Sequence, residues 1–126
     1  MLRHMVAVGT GAVLGAWLRW GLGMWLNPLT PSLPGGTLVA NLLGGYLIGV
    51  AVGIFAAYPQ LAPEWRFLIV TGFLGALTTF STFSAESVAL LQRNDWSGAI
   101  LHSAVHLFGS VTMTLLGLWS IRLLRS

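Results

Sequence analysis

The chain has 126 residues, of which 56% are hydrophobic and only 7% charged, with mean hydropathy +0.82. Too little polar surface is available to hold such a chain in water, which points to an integral membrane protein. The net charge of +3 comes from six arginines against three acids, without lysine or any basic run, so a nucleic-acid partner is excluded. The lack of cysteine excludes disulfides, thiolate chemistry and cysteine-held metals.

A membrane-spanning helix needs about 20 largely apolar residues, and four stretches qualify, which predicts an all-α, four-helix membrane domain over 1–126. The first, 5–26, carries a single charge, Arg19, near its end. The preceding MLRH superficially resembles a signal-peptide start, but no small-residue cleavage site follows, so this stretch is expected to remain as a span. The second, 37–57, has no charge and places Asn41 one turn inside its start. The third, 65–91, holds Arg66 at its start and Glu86 well inside, and the fourth, 98–121, holds only His102 and His106. The connecting pieces NPLTPSLPGG, YPQLAPE and RNDWS have loop composition, and Trp25, Trp65, Trp96 and Trp119 fall near span ends, where an aromatic belt belongs.

Four spans put both termini on one side, with Arg3, Arg66, Arg122 and Arg125, and leave Arg19 and Arg93 on the other. The arginine bias is weak, so the positive-inside rule specifies orientation poorly. Small residues recur at helix-packing spacing: Gly11 and Gly15, then Gly45, Gly49 and Gly53, then Gly72 and Gly75. Such faces let helices approach closely in lipid. Four helices cannot both pack and enclose a pore, so self-association is expected on geometry.

The third span is the unusual one. If continuous it would be about 40 Å long against a hydrocarbon core of about 30 Å. Its middle reads GALTTFSTFS, where glycine and β-branched residues disfavour a helix interior, so a break is expected near 75–79. Carbonyls freed there must be satisfied by protein, water or a cation. Beyond the break, Phe80, Phe83, Ser84 and Ser87 fall within about a 100° arc, and Thr79, Thr82 and Glu86 within about a 60° arc on another face. Ser81 lies beside the first arc. Two polar faces on one span require protein on most sides.

In the fourth span His102, His106, Ser110 and Thr114 follow at i, i+4 spacing along one stripe. Hydroxyls, an amide and an imidazole N–H all donate to anions, and the edge of a phenyl ring is weakly positive. A path built from such groups suits a small, hard anion that must lose water without being trapped. Each residue also has a structural alternative. Hydroxyls bond back to their own i−4 carbonyl or join helices, phenylalanines face lipid, and Asn41 can serve as interhelical glue. Two histidines at i, i+4 could bind zinc, but the sequence presents no third ligand. Glu86 and Arg19 stand apart, because intramembrane ionisable residues are costly and functional by default. With Glu64, Glu86 and Asp95 as the only acids and no nucleophile, zinc or phosphate motif, the chain is not read as an enzyme.

At these residues the sequence resembles the Fluc family of small fluoride channels, also called CrcB. The similarity runs through GAWLRW at 15–20, GTLVAN at 36–41, GGYLIG at 44–49, TGFLGALTTFSTFS at 71–84 and HLFGS at 106–110. The resemblance implies an antiparallel, dual-topology homodimer in the bacterial plasma membrane, exporting fluoride passively through two pathways. It also implies a structural, untransported sodium ion on the backbone carbonyls of Gly75 and Thr78. By motif position, Phe80 and Phe83 would turn ring edges to fluoride, with Asn41 beside them as donor. Ser81, Thr82 and Ser84 would add hydroxyls, Ser110 and Thr114 would line the path on the fourth helix, Arg19 would draw anions to a vestibule, and Glu86 and His106 would stand on the route out. The alternative is a small dual-topology multidrug or cation transporter, which should carry a glutamate in the middle of its first helix; none is present.

Overall fold

A computed structural model describes all 126 residues. Every element is helical, and four segments are long and apolar enough to cross a membrane: Leu2–Leu29, Gly35–Ala57, Pro63–Gln92 and Trp96–Arg125. The chain is a multi-pass membrane protein. The first span consists of α1 (Leu2–Leu26) and a closing 3-10 turn, Asn27–Leu29. The second is α2 (Gly35–Ala57). Its first turn follows Pro34, which has no side-chain group to cap it, so the caps come from the preceding loop. Asn27 Oδ1 accepts the Gly36 N–H and Thr30 Oγ1 accepts the Gly35 N–H, both at 2.8 Å.

The third span is two half-helices. The first, α3 (63–77), starts with Pro63 in its opening turn, widens into π-helical geometry over Phe67–Leu74, and tightens again over Gly75–Leu77. The second, α4, runs Phe80–Gln92. Between them Thr78 (φ −84°, ψ 153°) and Thr79 (φ −148°, ψ 120°) are extended. The break is therefore narrower than the expected 75–79. Gly75 remains helical at φ −62°, ψ −34°, and only the two β-branched residues leave the helix. The last span, α5 (Trp96–Arg125), is capped by Asp95, whose Oδ1 accepts the Gly98 N–H at 2.9 Å.

Glycines decide which helices touch. A Cβ on Gly11 or Gly15 would overlap the carbonyls of Leu68 or Phe73, so α1 lies backbone to backbone on the π-helical stretch. Gly49 on α2 and Gly117 on α5 play the same part, against the carbonyls of Thr114 and Tyr46. A methyl at either site would force the pair apart, an overpacking cost of about 1–3 kcal/mol. Thr114 ties the same seam, its hydroxyl donating to the carbonyls of Gly45 (2.8 Å) and Ser110 (3.0 Å). Gly72 packs on the Val8 carbonyl, but Gly75 departs from the expected pairing, since a Cβ there would meet nothing nearer than the Val70 carbonyl at 3.6 Å. The small core of Ala40, Leu74 and Leu77 sits directly behind the break.

Candidate functional site at the helix break

One side chain of α2 holds the break open. Asn41 Oδ1 accepts the Thr79 N–H at 2.8 Å, and Asn41 Nδ2 donates to the Thr79 carbonyl at 3.1 Å. In a continuous helix the Thr79 N–H would bond to the Gly75 carbonyl, four residues back. The Thr82 N–H, which would reach the Thr78 carbonyl, is taken by Thr79 Oγ1 at 3.1 Å. Gly75 and Thr78 thus each lose the donor that an unbroken helix would supply. A carbonyl oxygen without a helical donor must be satisfied by protein, water or a cation. The neighbouring Ala76 carbonyl is satisfied instead by Arg19, whose Nε–H donates to it at 2.9 Å from α1.

A groove of about 490 Å³ opens at this level between α2, α3, α4 and α5. Gly75, Thr78, Phe80, Phe83, Asn41 and Ser110 are among its lining residues, and His106 joins them. Phe80 is 78% exposed and tilts at 50° to Phe83, with ring centroids 5.5 Å apart. One face of Phe83 is covered by the parallel ring of His102 at 5.0 Å, and His106 lies tilted against it at 4.9 Å.

Behind Phe83 lies a polar cluster. Glu86 accepts the Thr37 hydroxyl on Oε2 at 2.6 Å and pairs through Oε1 with His102 Nε2 at 3.0 Å. His102 Nδ1 is hydrogen-bonded to Ser87 Oγ at 2.9 Å, and His106 Nδ1 to Asn41 Nδ2 at 3.1 Å. Glu86, His102 and His106 offer ligating atoms within 4.8 Å of one another, so the third ligand that the sequence did not present is supplied in space by Glu86.

Other expected residues do not line the groove. Ser81 and Ser84 project from the exposed side of α4, and Thr82 is half-buried near the start of that helix. The Thr114 hydroxyl serves the α2–α5 seam. Arg19 is engaged at the end of α3. Thr37, one helical turn before Asn41, joins the cluster without having been singled out in the sequence, whereas His102, one turn before His106, stands out there only as part of the fourth-span stripe and as a possible zinc ligand. The i, i+4 spacing to Asn41 is the signal that could have found Thr37.

Residues 6–118 match the family described as CrcB-like protein, Camphor Resistance (CrcB). Among curated relatives, the "Fluoride-specific ion channel FluC" of Cupriavidus pinatubonensis is 62% identical over 119 residues, 94% of each chain. The protein of the same name from Ralstonia nicotianae is 60% identical, also over 94% of each chain. That from Pseudomonas putida is 58% identical over 94% of this chain and 93% of its own.

Proposed function

The chain belongs to the CrcB family, and from that premise we propose that it is a fluoride-specific ion channel, a membrane pore and not an enzyme. The observation that carries the reading is the groove in which Phe80 and Phe83 meet Asn41, His106 and Ser110 at the helix break. Taking a bare ion into low dielectric costs tens of kcal/mol by Born arithmetic, so the hydration of fluoride has to be replaced stepwise along the path. Ring edges and hydroxyls do this without a fixed positive charge that would trap the ion. The path takes in Phe80, Phe83, Asn41 and Ser110, the hydroxyls of Ser81, Thr82, Ser84 and Thr114, and then Glu86 and His106. Arg19 supplies positive charge near its mouth. Flow is passive, down the fluoride gradient out of the cytoplasm.

The working unit is an antiparallel homodimer. Support comes from the exposed ring of Phe80 and the exposed hydroxyls of Ser81 and Ser84, all on a membrane span where lipid is a poor partner. The weak arginine bias suits insertion in both orientations. The carbonyls of Gly75 and Thr78, deprived of their helical donors, would hold a structural sodium ion with their counterparts in the second copy. That ion would offset the field of the conducted anions. A cation transporter is favoured by no observation, because both oxygens of Glu86 already have donors and α1 carries no acid. The test is fluoride efflux from liposomes containing purified protein in sodium buffer, with chloride as control. Efflux of fluoride but not chloride is expected, and folded protein that passes no fluoride would overturn the reading.

A further inference from the structure

Asn41 has one acceptor oxygen and two amide hydrogens, and all are committed inside the chain. Its orientation is fixed by Thr79: a backbone N–H can only donate, so the atom facing it at 2.8 Å is Oδ1. Nδ2 is then the donor to both the Thr79 carbonyl and His106 Nδ1, each at 3.1 Å. No hydrogen on Asn41 remains for an ion.

The same bond decides the state of His106. A ring nitrogen that accepts a hydrogen bond carries no proton, so the hydrogen of the neutral ring is on Nε2. That nitrogen is buried and has no hydrogen-bond partner in the chain, on a residue only 6% exposed. No acceptor lies within hydrogen-bond reach of it. Glu86 is turned to Thr37 and His102, and the neighbours on the remaining sides are the Phe83 and His102 rings, at 4.9 and 4.5 Å between centroids. A buried donor left unpaired is costly and calls for an explanation.

Resting on the fluoride-channel reading, we propose that Asn41 is a positioning residue and that His106 Nε2–H, locked in that tautomer by Asn41 and Thr79, is the donor offered to the anion. The clamp also disfavours a metal on the Glu86, His102 and His106 cluster. A metal needs a free ring lone pair: that of Nδ1 is engaged by the Asn41 amide, and freeing that of Nε2 would move the proton to Nδ1, directly opposite the Asn41 amide hydrogens. Asn41 could not turn to receive it without releasing Thr79 and the break.

The test is nitrogen NMR of ¹⁵N-histidine-labelled protein in lipid bilayers, with His106 assigned by its loss in His106→Gln and fluoride efflux followed in parallel. His106 is expected to carry its proton on Nε2 with a bare Nδ1, and the Nε2 resonance is expected to move with sodium fluoride but not with sodium chloride. Asn41→Asp, which accepts where asparagine donates, should move the proton to Nδ1 and cut efflux about tenfold or more, the scale of one hydrogen bond to a charged group. His106→Leu should lose as much, and His106→Gln, whose amide N–H reaches the same place, should recover part of it. A wild-type channel that conducts fluoride with the proton on Nδ1, with an imidazolium, or with an Nε2 resonance indifferent to fluoride overturns the inference alone. Loss of the Nε2 proton on adding zinc would do the same in favour of a metal site. Wild-type protein that passes no fluoride would instead overturn the channel reading.

Discussion

Gly44→Ala should disturb the helix break through a single methyl group. A Cβ built on Gly44 overlaps Thr78 Cγ2, while the next nearest atoms, Thr78 Cβ at 3.6 Å and Leu77 Cδ2 at 3.9 Å, are at ordinary contact distance. Relief requires Thr78 to turn about χ1, and its Oγ1 is bonded to the Leu74 carbonyl at 2.9 Å. Turning forfeits that bond, about 1 kcal/mol, and any residual clash brings the total to about 1–3 kcal/mol. Thr78→Ser removes the offending methyl and costs about 0.8 kcal/mol in lost burial. The double variant should therefore resemble Thr78→Ser alone, with a favourable coupling equal to the Gly44→Ala loss, about 1–3 kcal/mol. Unfolding titrations followed by tryptophan fluorescence measure all three variants against the wild type. Additive losses would mean that the break yields elsewhere and that Gly44 does not set the position of Thr78.

Phe80→Ile and Phe83→Ile should each reduce fluoride flux from liposomes sharply while assembly persists; unchanged flux in both would remove ring edges from the mechanism. Exchanging sodium for a large organic cation should destabilise the proposed homodimer in a cross-linking or size-exclusion assay, and assembly indifferent to sodium would count against the Gly75 and Thr78 carbonyls as ligands. Thr37→Val deletes the 2.6 Å hydroxyl bond to Glu86 from a side chain only 4% exposed. A stability loss of about 1.5–3 kcal/mol is expected for a hydrogen bond to a carboxylate, and under about 0.5 kcal/mol would mean that this bond does not hold Glu86 in place.

The four apolar helical segments were legible because each needs only composition and length. The break was legible because Thr78 and Thr79 are poor helix formers that follow Gly75 by one helical turn, but its narrowness was not. Its limits are set by Asn41, 38 residues away along the chain, which takes both backbone groups of Thr79 and leaves Gly75 helical. The widened stretch Phe67–Leu74 has no signature of its own; the sequence FLIVTGFL could equally form an α-helix, and the nearby feature is the close approach of α1 at Gly11 and Gly15. Helical arcs assigned Glu86 and Phe83 to different faces, and in space both converge on His102. Periodicity treats a helix as isolated, whereas α4 leans on α5 and offers both faces to it. The Glu86, His102 and His106 cluster stayed hidden for that reason, since its members come from two spans.

An unbroken span presents the two ends of its backbone dipole at opposite faces of the membrane, where water weakens them. Cutting the third span at Thr78 and Thr79 brings the C-terminal pole of α3 and the N-terminal pole of α4 together midway along the span, roughly −0.5 and +0.5 of an elementary charge. Two extended residues thus give one uncharged stretch of backbone a pole that favours cations beside a pole that favours anions, at the depth where the low dielectric makes both strongest.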